Sequence, residues 1–120
     1  MTTEQLTGRI LDHALAAAMG SQYNAEDHEW TLPDGTLIQD MELPSYSTSI
    51  EALVVGPERM LRNAGAWMRL KVSSSETISI TWWVVDLIRR RLCEVQCATE
   101  AEARARAALA ALKALKEQAR

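Results

Sequence analysis

Leu43-Pro44-Ser45-Tyr46-Ser47-Thr48-Ser49-Ile50-Glu51-Ala52 divides this chain of 120 residues and decides how it folds. Pro44 disfavours helical backbone at the residue before it. The hydroxyl-rich run that follows supplies oxygens for the amides that a starting helix leaves unpaired. Thr48 and Glu51 have the spacing of a capping box: the hydroxyl accepts from the amide at 51 while the carboxylate reaches back to the amide at 48. The spacing predicts a helix from Ser49. A helix and a hairpin lie before this point; a helix, a sheet-forming block and a last helix lie after it.

Upstream, Thr2 and Gln5 make another capping box, predicting a helix from about Thr3 to Met19 that stops at Gly20. Leu6, Ile10, Ala14, Ala17 and Ala18 form its apolar stripe, widened by Leu11 and Leu15, with Glu4, Arg9 and Asp12 off it. Ser21 to Glu29 is polar and reads as a loop. Trp30-Thr31-Leu32 and Thr36-Leu37-Ile38 then flank Pro33-Asp34-Gly35, where proline fixes one dihedral and glycine accepts positive φ, so a short hairpin is expected.

Downstream, Ile50, Leu53, Val54, Pro57, Leu61 and Ala64 keep helical spacing as far as Gly65. Gly56-Pro57 interrupts the run, because proline has no amide to donate to Leu53, and the helix is expected to kink or restart there. From Ala66 the period becomes two. Trp67 to Val72 sets Arg69 and Lys71 opposite Met68, Leu70 and Val72, and Thr77 to Trp82 groups Ile78, Ile80 and Trp82. Ser73 to Glu76 is a polar turn. Trp83 to Val85 extends the second strand or breaks from it, and residues 86 to 91 have no clear assignment. Leu92 to Ala98 reads as a third strand with Cys93, Val95 and Cys97 on one face. Thr99 and Glu102 cap a final Ala-rich helix running to Arg120, with Ala101, Ala105, Ala108, Leu109, Leu112 and Leu115 inward.

The pattern predicts one α+β domain over residues 1–120: a layered α/β/α sandwich with an antiparallel sheet, hairpin plus three-stranded meander, and about three helices. A chain of this size buries enough surface for a core without disulfide or metal staples. The formal charge of −3 argues against a general DNA- or RNA-binding protein. The polar, acidic start has no signal-peptide pattern, and no apolar run reaches the ~20 residues of a membrane span. A cytoplasmic protein without membrane contact is expected.

Ala18-Met19-Gly20, Trp30, the Pro44-to-Ala52 stretch and the closing block from Ala98-Thr99-Glu100-Ala101 into Ala107–Ala114 together resemble the phage ABA sandwich domain family, small proteins encoded by phages and prophages. The likeness covers most of the chain. It departs at Ser21, where an aromatic residue often follows the Met-Gly, and at Gly56-Pro57. The resemblance implies helix, sheet and helix layers, a phage setting in a bacterial host, and no established activity or catalytic residue.

A search for chemistry yields little. Cys93 and Cys97 on one strand would stand about 13 Å apart, at ~3.3 Å per residue, too far for one metal or a bridge; buried free thiols are expected. His13 and His28 sit in distant segments and read as surface or satisfied histidines. Glu26-Asp27-His28-Glu29 lacks the spacing of a calcium loop. There is no phosphate-cradling glycine loop and no nucleophile elbow. The sequence predicts no catalytic residue, no metal site and no cofactor.

One concentration of charge remains. Arg89-Arg90-Arg91 stands near Trp82-Trp83, with Arg69 and Lys71 on the expected neighbouring strand. Arginine forks match phosphate oxygens, and tryptophan faces stack on flat rings. Adjacent strand residues point to opposite faces, so only some of the arginines can share a site. The plain reading is a solvated charged rim. The sharper one is a ligand site of Arg69, Lys71, Trp82, Trp83, Arg89, Arg90 and Arg91 for a phosphorylated small molecule, a nucleotide signal of host defence being the leading candidate. On this view the protein is a non-catalytic capture protein, a homo-oligomer (dimer or higher) with a two-fold cleft. The alternative is a protein-binding accessory component or inhibitor of a host factor; an enzyme is the remote third.

Overall fold

The computed structural model describes residues 8–72, 77–85, 89–97 and 99–118, and within these the side chains of 83–85, 89–94, 96, 97 and 118 are left aside. In chain order come α1 (Gly8–Ala18), β1 (Gln22–Asn24), β2 (Glu29–Thr31), β3 (Leu37–Gln39), a 3-10 turn (Asp40–Glu42), α2 (Ile50–Val55), α3 (Pro57–Asn63), β4 (Ala66–Val72), β5 (Ile78–Val85), β6 (Arg89–Cys97) and α4 (Glu100–Gln118). The protein is an α+β domain with two antiparallel three-stranded sheets, ordered β1-β2-β3 and β4-β5-β6. The expected single sheet is thus two, since the hairpin pairs with β1 and not with the meander. The expected caps at Thr2 and Gln5 and the turn at 73–76 lie outside the described residues.

α1 ends at Gly20, whose φ of 103° belongs to glycine. The amide of Ser21 donates to Ala16 and that of Gly20 to Ala17, so two terminal carbonyls are satisfied by a Schellman motif. The buried face of α1 differs from the expected stripe. Leu11 and Leu15 have no exposed surface, Asp12 and Ala16 are buried with them, and Ile10 is 59% exposed. Alanines carry little apolar area, so the two leucines set the helix rotation and Ile10 is turned out.

The segment expected as a loop contains β1, which pairs Tyr23 with Trp30. All three of its residues are exposed and polar or amphipathic, so it has no alternation to reveal it. The β2–β3 turn is as predicted: Leu32 and Thr36 close it, Gly35 sits at φ 90°, and the Thr36 amide donates to Asp34. Trp30, Ala16 and Leu43 form a small core between this sheet and α1.

α2 begins one residue later than the capping-box reading. The cap is Ser49, whose Oγ accepts from the Ala52 amide at 3.2 Å. The Ser45 carbonyl accepts from the amides of both Thr48 and Ser49, which turns Thr48 away from the cap position. The helix restarts at Pro57 as expected, with Gly56 between α2 and α3. A Cβ on Gly56 would stand 3.0 Å from the Ala52 carbonyl and 3.2 Å from the Tyr46 ring, so the break is also a close approach.

α4 starts at its predicted cap, where the Glu102 amide donates to Thr99 Oγ1. It is buried on two sides. Ala105, Ala108 and Leu109 were expected inward, but Ala103, Ala107 and Ala111 also have no exposed surface. One side packs on β5 and β6, the other on α1, α2 and α3. Among the described residues α3 and α4 both pack on the β4–β6 sheet, and α1 and α2 lie against α4. A helix apolar on two sides needs cover on both, and alanines allow both neighbours to come close. The main core joins Leu11, Leu15, Leu53, Leu61, Ile80, Trp82, Val95 and the α4 alanines.

Candidate functional site

The β4–β6 sheet sorts the predicted residues by parity. β4 alternates Met68, Leu70 and Val72 with Trp67, Arg69 and Lys71. The first set is in register with Trp82, Ile80 and Ile78, the row that enters the core. α3 meets the sheet on that side, since the Arg62 guanidinium lies 5.8 Å over the Trp82 ring. Trp82 has no exposed surface, and its indole N–H has no hydrogen-bond partner among the described residues. Trp82 is therefore a core residue, and its proposed place in a ligand site is corrected.

Trp67, Arg69 and Lys71 occupy the other face. Arg69 and Lys71 are exposed, and Trp67 is half-buried. Across the sheet, Trp67 is in register with Trp83 and Trp83 with Arg91; Arg69 with Thr81 and Thr81 with Glu94; Lys71 with Ser79 and Ser79 with Gln96. A register shift between Trp82 and Trp83 brings Arg91 to this row. Arg90 falls across from Val84 and Arg89 across from Val85. The backbone thus sets Arg69 one same-face row from Trp83 and Arg91, with Lys71 one row further, and leaves Arg89 and Arg90 at other positions. The side chains of Trp83 and the three arginines are outside the described residues. Trp67 is the residue that sequence reasoning left out; its parity with Arg69 and Lys71 is the signal that finds it.

A second polar cluster joins α1 to the first sheet. Asp40 Oδ1 accepts from Trp30 Nε1 at 2.8 Å, and His13 Nε2 lies 2.8 Å from the same oxygen. That second contact is a close approach in which the His13 nitrogen makes no aligned hydrogen bond among the described residues. The Trp30 hydrogen bond, followed by the His13 and Arg9 charges, holds the Asp40 carboxyl below the usual range against the opposing effect of burial. The rings of His13, Tyr23 and Trp30 meet at centroid distances of 4.9 to 5.5 Å, and the Tyr23 hydroxyl shares a hydrogen bond with His28 Nδ1 at 3.1 Å. Arg9 reaches across to the carbonyls of Leu43 and Asp40. An imidazole beside a carboxylate can exchange a proton, but no serine or cysteine is hydrogen-bonded to either histidine among the described residues. The cluster fastens the first sheet onto α1.

No group of His, Cys, Asp and Glu arranged for a metal ion occurs among the described residues. Cys93 and Cys97 fall in register with Trp82 and Ile78, two positions either side of Val95. Shallow apolar grooves of about 380 and 360 Å³ flank Leu112 and Lys116 on α4. No helix among the described residues is long and apolar enough to cross a membrane. No family model matches this chain, and no curated protein and no solved structure matches it.

Proposed function

We propose that this chain is a non-catalytic binding protein of phage or prophage type. It captures an anionic, flat-ringed ligand of the nucleotide class on the outer face of the β4–β6 sheet, in the cytoplasm of a bacterial host. The observation that carries this reading is the solvent exposure of Arg69 and Lys71, which share strand parity on β4 with the half-buried Trp67. Two cations about 7 Å apart, at ~3.3 Å per residue, suit a phosphorylated group, and an indole beside them suits the flat ring. A nucleotide signal of host defence has this chemistry, and removing it from solution needs tight binding and no bond-breaking.

The supporting register row through Trp83 and Arg91 extends the same surface across the sheet. The plain alternative, a solvated rim, predicts no ligand. Tryptophan fluorescence separates them. Nucleotide titration is expected to quench emission in the wild type and to lose that quenching in Arg69→Gln/Lys71→Gln; equal quenching in both proteins would remove the site.

A second reading, a protein-binding accessory component or inhibitor of a host factor, has one observation in its favour. Leu70 and Val72 are 38% and 60% exposed at the far end of β4, an edge strand with open backbone groups.

A further inference from the structure

β4 lies at the edge of the second sheet, with β5 on one side and no described strand on the other. An edge strand carries a row of backbone N–H and C=O groups without a partner strand. No loop or turn hydrogen bond among the described residues takes up those of 68–72. Burial falls along the strand: Ala66 is buried, Trp67 and Met68 are half-buried, and Arg69, Leu70, Lys71 and Val72 are all exposed. The far half of β4 is thus open at its edge and on both faces.

Those two faces differ in chemistry. Arg69 and Lys71 belong to one, and neither is ion-paired among the described residues. Leu70 and Val72 share the parity of Met68, which packs on the core, but are exposed where Met68 is covered. Cations on an open edge oppose pairing with an unselected strand. They oppose a second copy in particular: two-fold pairing of β4 with β4 would set Arg69 and Lys71 against their own copies, and like charges facing across strands are unfavourable. The same charges favour a strand that bears carboxylates.

We infer that the β4 edge takes up an extended acidic peptide of another protein as a fourth strand. Backbone hydrogen bonds along the edge hold it, carboxylates at alternate positions face Arg69 and Lys71, and apolar residues between them cover Leu70 and Val72. The inference goes beyond nucleotide capture, which uses the outer face and not the edge, and it gives the protein-binding reading a partner chemistry. Both ligands use Arg69 and Lys71, so they compete.

The test is calorimetry with a capped peptide as long as β4 that alternates Glu and Val, and with two N-methylated forms, one blocked at every Glu and the other at every Val. In a strand the N–H groups of alternate residues point to the same edge, so one form keeps the edge that meets β4 and the other loses it. The wild type is expected to bind the parent peptide saturably, one N-methylated form at least as tightly, and the other at least tenfold more weakly. A Gln-for-Glu peptide, and the Arg69→Gln/Lys71→Gln protein with the parent peptide, should each lose at least tenfold as well. Arg69→Glu/Lys71→Glu, checked for folding by circular dichroism, should prefer a peptide with Lys in place of Glu. Nucleotide titration of the same wild type reports on capture separately, so a protein that binds nucleotide but no peptide overturns this inference alone. No heat from the Glu peptide with folded wild type, or two N-methylated forms that bind alike, would overturn it. Equal binding of the Gln-for-Glu peptide would keep the edge as a docking site and overturn its acidic partner.

Discussion

Glu58 of α3 and Arg104 of α4 form a buried, two-pronged ion pair, with Arg104 Nε 2.8 Å and Nη2 2.5 Å from the two carboxylate oxygens. Glu58 has no exposed surface, and Arg104 is also held by Glu100 at 3.2 Å. The Glu58 hydrogen bonds raise the Arg104 pKa against the effect of burial, so the guanidinium stays charged in the interior. Removing one partner strands the other. Glu58→Ala or Arg104→Ala is expected to destabilise by about 3–5 kcal/mol in urea unfolding, whereas Glu58→Leu/Arg104→Met should come within about 2 kcal/mol of the wild type. Equal losses in single and double variants would show that the pair is not coupled.

Asp12 fixes the central segment to α1. Its Oδ1 accepts the Ser47 amide at 2.7 Å while its side chain is almost wholly buried. Asp12→Ala leaves that amide without an acceptor and should cost about 1–3 kcal/mol; Asp12→Asn, which keeps an acceptor, should cost less. Thermal melts of the two variants distinguish the cases.

Asp40 makes the first sheet sensitive to acid. Its pKa is lowered in the folded chain, so the native state prefers the carboxylate. The resulting stability is present in full above the unfolded value of about 3.9 and is lost as pH falls through the lower folded value. Urea midpoints should therefore decline below about pH 4, and Asp40→Asn should flatten that part of the decline. An unchanged acid slope in the variant would assign it to other carboxylates.

Trp82 is expected to behave as a core residue. Trp82→Ala should cost about 3–5 kcal/mol. Trp82→Phe should cost less than half as much, since the unpaired N–H leaves together with the lost volume. A Trp82→Ala protein of wild-type stability would place the ring outside the core.

Local chemistry made much of this fold legible. Pro33-Asp34-Gly35, the restart at Gly56-Pro57, the strand from Ala66 and the cap at Thr99 each depend on neighbours in sequence, and each is present. What could not be read depends on distant partners. Asp12 and Glu58 look like solvent-facing acids until Ser47 and Arg104 are brought to them across 35 and 46 residues. Thr48 has the capping-box spacing with Glu51, yet Ser49 is the cap, because the Ser45 carbonyl accepts from the amides of both and turns Thr48 away. At the candidate site, strand parity already separates Trp82 from Trp83; the shift that brings Arg91 across from Trp83 is set by pairing with β5 and leaves no mark in the sequence.

Calorimetry against a panel of linear and cyclic nucleotides, with wild type and Arg69→Gln/Lys71→Gln side by side, tests the capture proposal most directly. The account predicts saturable heat for at least one nucleotide in the wild type and a loss of at least tenfold in affinity, about 1.4 kcal/mol, in the variant. No heat from any nucleotide with folded wild-type protein, or identical binding by the variant, would contradict it.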